Sequence, residues 1–412
     1  MADWFDCSNK HGDGGKSGAT TTPLVREHDN EIPFCSRRSP VIVRNGCVAS
    51  SQSLASSIGV DLLKRGANAA EASIAVSAAL GVTEPCSGGL GGDMFCLYYD
   101  SRMKRVSAIN GSGHSPQKLT LDVVRKDCPA VAPSPSPSPS NKNNNKDHGI
   151  DVDKFRFSAH AVTVPGTARG YEDLLKQHGS GNFTLSELLE PAAKLAEEGF
   201  PAAGPITAHH WKNGMDQIKQ WLSKDEICDG NIPFTVDGRN SPNAGDIFIN
   251  KDLANVLREL GSKGADGFYG GFPGRAIVDK IQKHGGVMSQ SDLVEQRCTF
   301  PDPINVEFGG KKLYQVPPNG QGIAGLIALK GLSYLKEKKG YKIIPGTADC
   351  YHAMIEMMRL GFAGMFGCLE TVSNTNIQLK NRLFNTVALY IMFVTTLFLF
   401  RCIIFIFLLI YL

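Results

Sequence analysis

The chain changes character close to Ala363, and that break limits what can fold. Helix, strand and glycine-turn patterns lie before it; after it come a polar stretch, Glu370-Thr371-Val372-Ser373-Asn374-Thr375-Asn376, and an apolar run from Val387 to Leu412. A packed core must therefore be built from the residues upstream. With 412 residues, 42% of them hydrophobic, there is material for one large domain or two ordinary ones. Lysine plus arginine at 43 against aspartate plus glutamate at 40 leaves a net charge of +3. That balance points to neither nucleic acid nor an acidic polymer as partner. The eleven cysteines make no Cys-x-x-Cys pair and no zinc-ligand spacing with histidine, so free, mostly buried thiols in a reducing compartment are expected.

Residues 1–37 are polar and rich in Gly, Ser and Thr, without a basic segment leading into an apolar one, and read as a flexible arm with no signal peptide. Leu54, Ile58, Leu62 and Leu63 then recur at helical spacing before Gly66. Asn68 is placed to cap a second helix whose small residues, from Ala69 to Leu80, predict burial among close neighbours. Thr83-Glu84-Pro85 and a glycine cluster lead into a strand over Met94–Tyr99, which Val106–Ile109 can join across a turn at Asp100–Lys104. The Ser-Pro and Asn runs within residues 129–150 predict a low-complexity insertion. A short strand is expected at Ala161–Val164, a capping box at Thr184-Leu185-Ser186-Glu187, and helices at Leu253–Leu260, Ala276–Lys283, Ile323–Leu335 and after Thr347.

Several local patterns invite chemistry and do not carry it. Gly88-Gly89-Leu90-Gly91-Gly92-Asp93 lacks the Gly-Lys-Ser/Thr of a phosphate loop and is followed by a strand where a nucleotide fingerprint needs a helix, so it reads as a tight turn bringing backbone against a neighbour. His352 and Glu356 share a helix face without the second histidine of a metalloprotease, and His209-His210 beside Trp211 suits a surface. No Gly-x-Ser-x-Gly elbow occurs. No metal site and no cofactor follow from these residues.

Taken together, several segments resemble the γ-glutamyltransferase (glutathione hydrolase) family. They are Val48-Ala49-Ser50-Ser51 through Gly66-Ala67-Asn68-Ala69, Thr83-Glu84-Pro85 with Gly88 to Phe95, and Val162-Thr163-Val164-Pro165-Gly166-Thr167-Ala168-Arg169-Gly170. Glu190 to Phe200, Gly267-Phe268-Tyr269 and Val316-Pro317-Pro318-Asn319-Gly320 follow in the same order. The resemblance covers residues 38–363 and implies an α/β fold, the four-layer α-β-β-α sandwich of N-terminal-nucleophile hydrolases, here incomplete. It implies cleavage of γ-glutamyl amides such as glutathione. In this family a precursor cuts itself into large and small subunits, and the new N-terminal threonine attacks the γ-glutamyl carbonyl with its own amine as base.

The sequence departs from the family twice. Much of the family clamps the substrate α-carboxylate with an arginine four residues before the proline that is here Pro116, and some branches place it two before; these positions are Ser112 and His114. Neither offers the planar fork of a guanidinium, so both are candidate substrate-binding residues with altered carboxylate recognition. Beyond Ala363 no start of a small subunit follows: Thr371, Thr375 and Thr386 lack the family's flanks, and no catalytic residue is assigned. Loss of the small subunit's oxyanion donors alone is worth about two to three orders of magnitude in rate.

Residues 364–386 read as a linker and 387–412 as a transmembrane tail. Of the tail's 26 residues, eighteen are Leu, Ile, Phe or Val and one, Arg401, is charged. At roughly −0.3 kcal/mol each, the eighteen outweigh a central arginine at about +3 kcal/mol. Lys380 and Arg382 before it would keep the body cytoplasmic behind a C-terminal hydrophobic helix. The same composition also results from translated A/T-rich noncoding sequence. Two functions are compatible with these readings: a γ-glutamyl hydrolase or transferase inactive by itself, or a non-catalytic, membrane-anchored binding or regulatory module. Expected partners are γ-glutamyl small molecules, a full-length relative or small subunit, and the membrane.

Overall fold

The computed structural model describes residues 40–129, 149–219, 222 and 232–373. They fall chiefly into two compact units, one of Asn45–Ile304 with Tyr314–Gly320 and one of Asn305–Leu313 with Gln321–Gly367. The tail, most of the linker, most of the insertion and the 1–37 arm lie outside the described residues. Among the described residues no helix is long and apolar enough to cross a membrane.

The larger unit is organised around a helix with no solvent side. α1 (Ser53–Lys64) buries Ala55, Gly59 and Leu62, and α2 (Ala69–Thr83) buries ten residues, among them Ala70, Ile74, Ala75, Ala78, Ala79 and Val82, that face in every direction. Side chains this small let α1, α5 (Thr167–His178) and α6 (Leu185–Glu198) pack directly against α2. Its start is fixed by a capping box in which Asn68 Oδ1 accepts the Glu71 N–H at 3.0 Å and Glu71 Oε2 accepts the Asn68 N–H at 2.8 Å. Glu71 is fully buried and its Oε1 also accepts the Ser180 N–H at 2.8 Å and hydroxyl at 2.7 Å. One carboxylate thus ties the start of α2 to the loop after α5.

α6 carries apolar residues at helical spacing, Leu185, Leu188, Leu189, Ala192, Ala193 and Ala196, and lays them against Ala254, Leu257 and Leu260 of α8 (Lys251–Gly270). Its capping box at Thr184 and Glu187 forms as the sequence predicts. The helix expected over Leu253–Leu260 runs on to Gly270 through a break at Gly264 (φ 68°, ψ −168°), because Ala265, Phe268 and Tyr269 beyond the break are buried as well. Among the described residues, α3 (Leu121–Asp127), α4 (Val152–Arg156), α7 (Pro205–Lys219), α9 (Phe272–Lys283) and α10 (Gln290–Val294) are the other α-helices of this unit. The ends of the insertion meet at a bridge between Pro129 and Ile150, with the Asp151 N–H donating to Cys128 O at 2.9 Å.

β1 (Met94–Asp100) and β2 (Arg105–Gly111) form the expected antiparallel hairpin in a register running from Met94 opposite Gly111 to Asp100 opposite Arg105. β3 (Phe200–Pro201) pairs with β4 (Ile247–Phe248), and β5 (Ile304–Phe308) with β6 (Lys311–Gln315). Among the described residues the strands therefore make three two-stranded sheets, and two stacked sheets are not assembled. The strand expected at Ala161–Val164 is absent: Ala159–Ala161 is a 3₁₀ turn, and the Val164 N–H makes a lone bond to His114 O at 2.9 Å. Pro165 and Pro116 have no N–H to extend that bond into a ladder.

The smaller unit contains α11 (Gly322–Lys339) and most of α12 (Ala348–Ser373). The Cys350 N–H donates to Thr347 Oγ1 at 3.2 Å, the expected cap. α12 runs through Ala363 without interruption, so helical structure continues ten residues past the compositional break. Six of the described cysteines are free: Cys128, Cys298 and Cys350 are buried and Cys96 half-buried, whereas Cys47 and Cys86 are exposed. Burial pushes the Cys96 thiol up to about 11.

Glu71→Ala would strand the Asn68 and Ser180 donors in a buried site. It is expected to lower stability by about 3 kcal/mol or more in urea unfolding, and a loss below about 0.5 kcal/mol would contradict the role given to this carboxylate.

Candidate functional site

The hairpin register generates the site. With Met94 opposite Gly111, the residues just outside the ladder are Asp93 and Ser112, so they emerge side by side at its open end. Asp93 Oδ1 accepts the Gly113 N–H at 2.7 Å and Oδ2 accepts the Ser112 hydroxyl at 3.2 Å. Ser112 Oγ in turn accepts Nδ2 of Asn319 at 2.7 Å, Asn319 Oδ1 accepts Nδ2 of Asn110 at 2.9 Å, and Asn110 Oδ1 accepts the Ser112 N–H at 3.0 Å. The result is a closed polar ring holding the arm Ser112-Gly113-His114. From behind, Gln296, fully buried, donates through Nε2 to Ser112 O at 3.2 Å.

The arm lies flat because backbone passes backbone. The Gly92 carbonyl accepts the Gly166 and Thr167 N–H groups at 2.9 and 3.0 Å and the Thr167 hydroxyl at 2.9 Å. A Cβ on Gly113 would sit 1.6 Å from Val164 O, and one on Gly166 1.9 Å from Gly111 O. The glycine cluster thus acts as the close-approach turn its sequence suggests. It also walls a cleft of about 480 Å³ that Ala78, Gly81, Tyr171 and Leu257 line together with Asp93. Although its surface is largely exposed, the cleft walls strip water from Asp93 and raise its pKa; the Gly113 N–H and Ser112 hydroxyl oppose the rise without cancelling it.

Downstream of the arm, Asp292 braces the chain. Its Oδ1 accepts the Gln117 N–H at 2.8 Å, and Oδ2 accepts the N–H and hydroxyl of Ser289 at 2.8 and 2.6 Å. Burial raises its pKa, but the bonds from Ser289 and Gln117, with a smaller contribution from nearby His114, prevail and leave the carboxyl below the ordinary range. His114 is half-buried, and its Nδ1 lies 3.0 Å from Ser115 O. Arg169 is locked away by Glu172 at 2.7 Å and Asp266 at 2.8 Å, and the Tyr269 hydroxyl donates to Pro165 O at 2.7 Å, so this part of the family-like sequence is structural bracing.

Of the candidate residues from the sequence, Ser112 and His114 thus lie on one arm, while Asp93, Asn110, Asn319, Gln296 and Asp292 join it only in the structure. Asp93 and Asn319 both lie in segments that carry the family resemblance, which is the signal the sequence offers for them. Among the described residues there is no cluster of three or more His, Cys, Asp or Glu able to hold a metal ion. His352 is exposed, Glu356 pairs with Arg359 at 2.8 Å, and exposed His209 bonds Asn213 at 3.1 Å, while Trp211 beside it is buried.

The family model described as γ-glutamyltranspeptidase matches residues 55–389, and the chain belongs to this family. The match passes Ala363, the end of the stretch that the sequence resemblance covers, and reaches residue 389. A glutathione hydrolase-like YwrD proenzyme of Bacillus subtilis (strain 168) is 32% identical over 343 residues, 83% of this chain and 58% of that relative. The glutathione hydrolase proenzyme of the same organism is 29% identical over 340 residues, 82% of this chain and 53% of that relative. The chain thus spans little more than half the length of these two relatives. Among solved structures, γ-glutamyltranspeptidase of Helicobacter pylori is similar with a TM-score of 0.64 at 27% identity, covering 79% of this chain and 84% of that one. The cephalosporin acylase of Bacillus halodurans gives 0.67 at 32% identity, covering 83% and 58%. The mixed helix and sheet fold is therefore that of the γ-glutamyltranspeptidases.

Two outcomes are expected of the bracing. Gly113→Ala should cost at least about 2 kcal/mol in denaturant unfolding, since backbone, not a flexible side chain, occupies the space; an unchanged midpoint would contradict the close approach. For Asp292, a folded pKa below its unbound value of 3.8 means a contribution that is whole above that pH and lost as pH falls through the folded pKa. The stability gap between wild type and Asp292→Asn should be steady from about pH 5 to 7 and shrink below about pH 4 in stepped denaturant titrations. A gap constant into the acid range would refute the assignment.

Proposed function

We propose that these residues supply the substrate-arm half of a γ-glutamyl hydrolase or transferase acting on glutathione-like compounds, on the scaffold of a four-layer N-terminal-nucleophile hydrolase sandwich. What supports the reading is the family membership together with the Ser112-Gly113-His114 arm, held by Asp93 and Asn319, whose Ser112 and His114 the sequence resemblance sets at the positions of the family's carboxylate clamp. In this reading Ser112 and His114 contact the γ-glutamyl head group. The nucleophile is a threonine of a small subunit, and neither Thr371, Thr375 nor Thr386 takes that role. Phe95 and Tyr99 of β1, 42% and 43% exposed, support a further segment covering the hairpin. The 412 residues alone are then inactive.

A γ-glutamyl 4-nitroanilide assay tests both parts. No release of nitroaniline is expected from the purified chain, and release is expected after co-expression with the small-subunit region of a relative. Turnover by the chain alone would overturn the claim of inactivity, and silence of a stable assembled complex would overturn the activity.

A further inference from the structure

The balanced charge of the whole chain hides a local excess. In the smaller unit, residues 305–313 and 321–367, eight lysines and arginines stand against four carboxylates, which leaves the rest of the chain close to neutral. Five of those cations fall within thirteen positions at the end of α11: Lys330, Lys336, Lys338, Lys339 and Lys342, with Glu337 the one acid between them. All five are exposed, and among the described residues none makes an ion pair or a hydrogen bond. Capping does not account for them. Gly340, in the left-handed region at φ 63°, closes α11, and its N–H and that of Tyr341, at 3.1 Å, both donate to Leu335 O. The helix dipole favours a cation in the last turn, whereas Lys330 lies more than two turns before the end and Lys342 beyond it.

Two large apolar side chains stand out of the same surface. Tyr334, 54% exposed, is four residues from both Lys330 and Lys338 and shares their helix face; Ile344, 47% exposed, follows Lys342 by two. Lysines interleaved with an exposed tyrosine and isoleucine suit a bilayer interface, where ammonium groups meet anionic head groups and apolar side chains reach the acyl boundary. A nucleic acid backbone offers the charge without an apolar layer for Ile344. The sequence also brings a bilayer within reach: the apolar run 387–412 begins fourteen positions after Ser373 at the end of α12, at most about 50 Å of extended chain. We propose that the lysine-bearing end of α11 is a docking surface for an anionic lipid bilayer, with Tyr334 and Ile344 seated in the interface. This surface serves whether or not the γ-glutamyl reading holds.

Amine acetylation of the 412-residue chain, read lysine by lysine by peptide mass spectrometry, tests this on vesicles of phosphatidylcholine and of phosphatidylcholine with about 30% phosphatidylserine. The apolar run can hold the chain on both, so the comparison isolates the charge. Lys336, Lys338, Lys339 and Lys342 are expected to react at least about threefold more slowly on the anionic vesicles at about 0.1 M salt and equally on both at about 0.5 M salt, with Lys64 and Lys263 of the larger unit unaffected. Lys338→Glu combined with Lys339→Glu should abolish the slowing at Lys336 and Lys342. Equal rates on the two vesicles in wild type, or equal slowing at Lys64 and Lys263, overturns the docking surface. Slowing by a DNA duplex and not by anionic vesicles assigns the surface to nucleic acid and overturns it as well. The wild-type comparison decides the matter even if the variant fails to fold, and the γ-glutamyl anilide assay is untouched by each of these outcomes.

Discussion

Three stretches of backbone cross at Gly92, Gly111–Gly113 and Val164–Gly166 with no room for a side chain between them, and the candidate site depends on that crossing. The Gly92 carbonyl receives the start of α5, and α5 packs on the buried helix α2, so the loop before β1 is anchored to the core of its unit. With the loop fixed, Asp93 is fixed, and its two oxygens set where the arm carrying Ser112 and His114 must run. Small residues thus act at two scales: alanines bring helices to α2, and glycines bring strands and loops to the arm.

Much of the scaffold was legible because it is local. The cap at Asn68, the capping box at Thr184 and the β1–β2 turn are set by residues within a few positions of one another, and they form where the sequence places them. The failures are non-local. Val162–Val164 has strand composition but faces a segment that can offer one bond, so it stays unladdered. The helix at Leu253 continues past Gly264 because Phe268 and Tyr269 find a buried place, which no window around Gly264 reveals. At the site, Ser112 and His114 came from family resemblance, whereas Asp93 and Asn319 act through contacts 19 and 207 residues apart in sequence.

The polar ring holds Ser112 with no guanidinium among its members. Asn319, Asn110 and Asp93 satisfy one another around Ser112, so the arm is ordered without a substrate to complete it. An arm built in this way is pre-organised.

The central claim, that Asp93 and the glycine crossing hold the arm as a fixed part of the scaffold, is open to amide hydrogen exchange read residue by residue. The Gly113, Gly166 and Thr167 amides, bonded to Asp93 and to the Gly92 carbonyl, are expected to exchange as slowly as the amides of α2, with Gly113 alone losing protection in Asp93→Ala. Exchange of these three amides in wild type at the rate of an unstructured loop would contradict it.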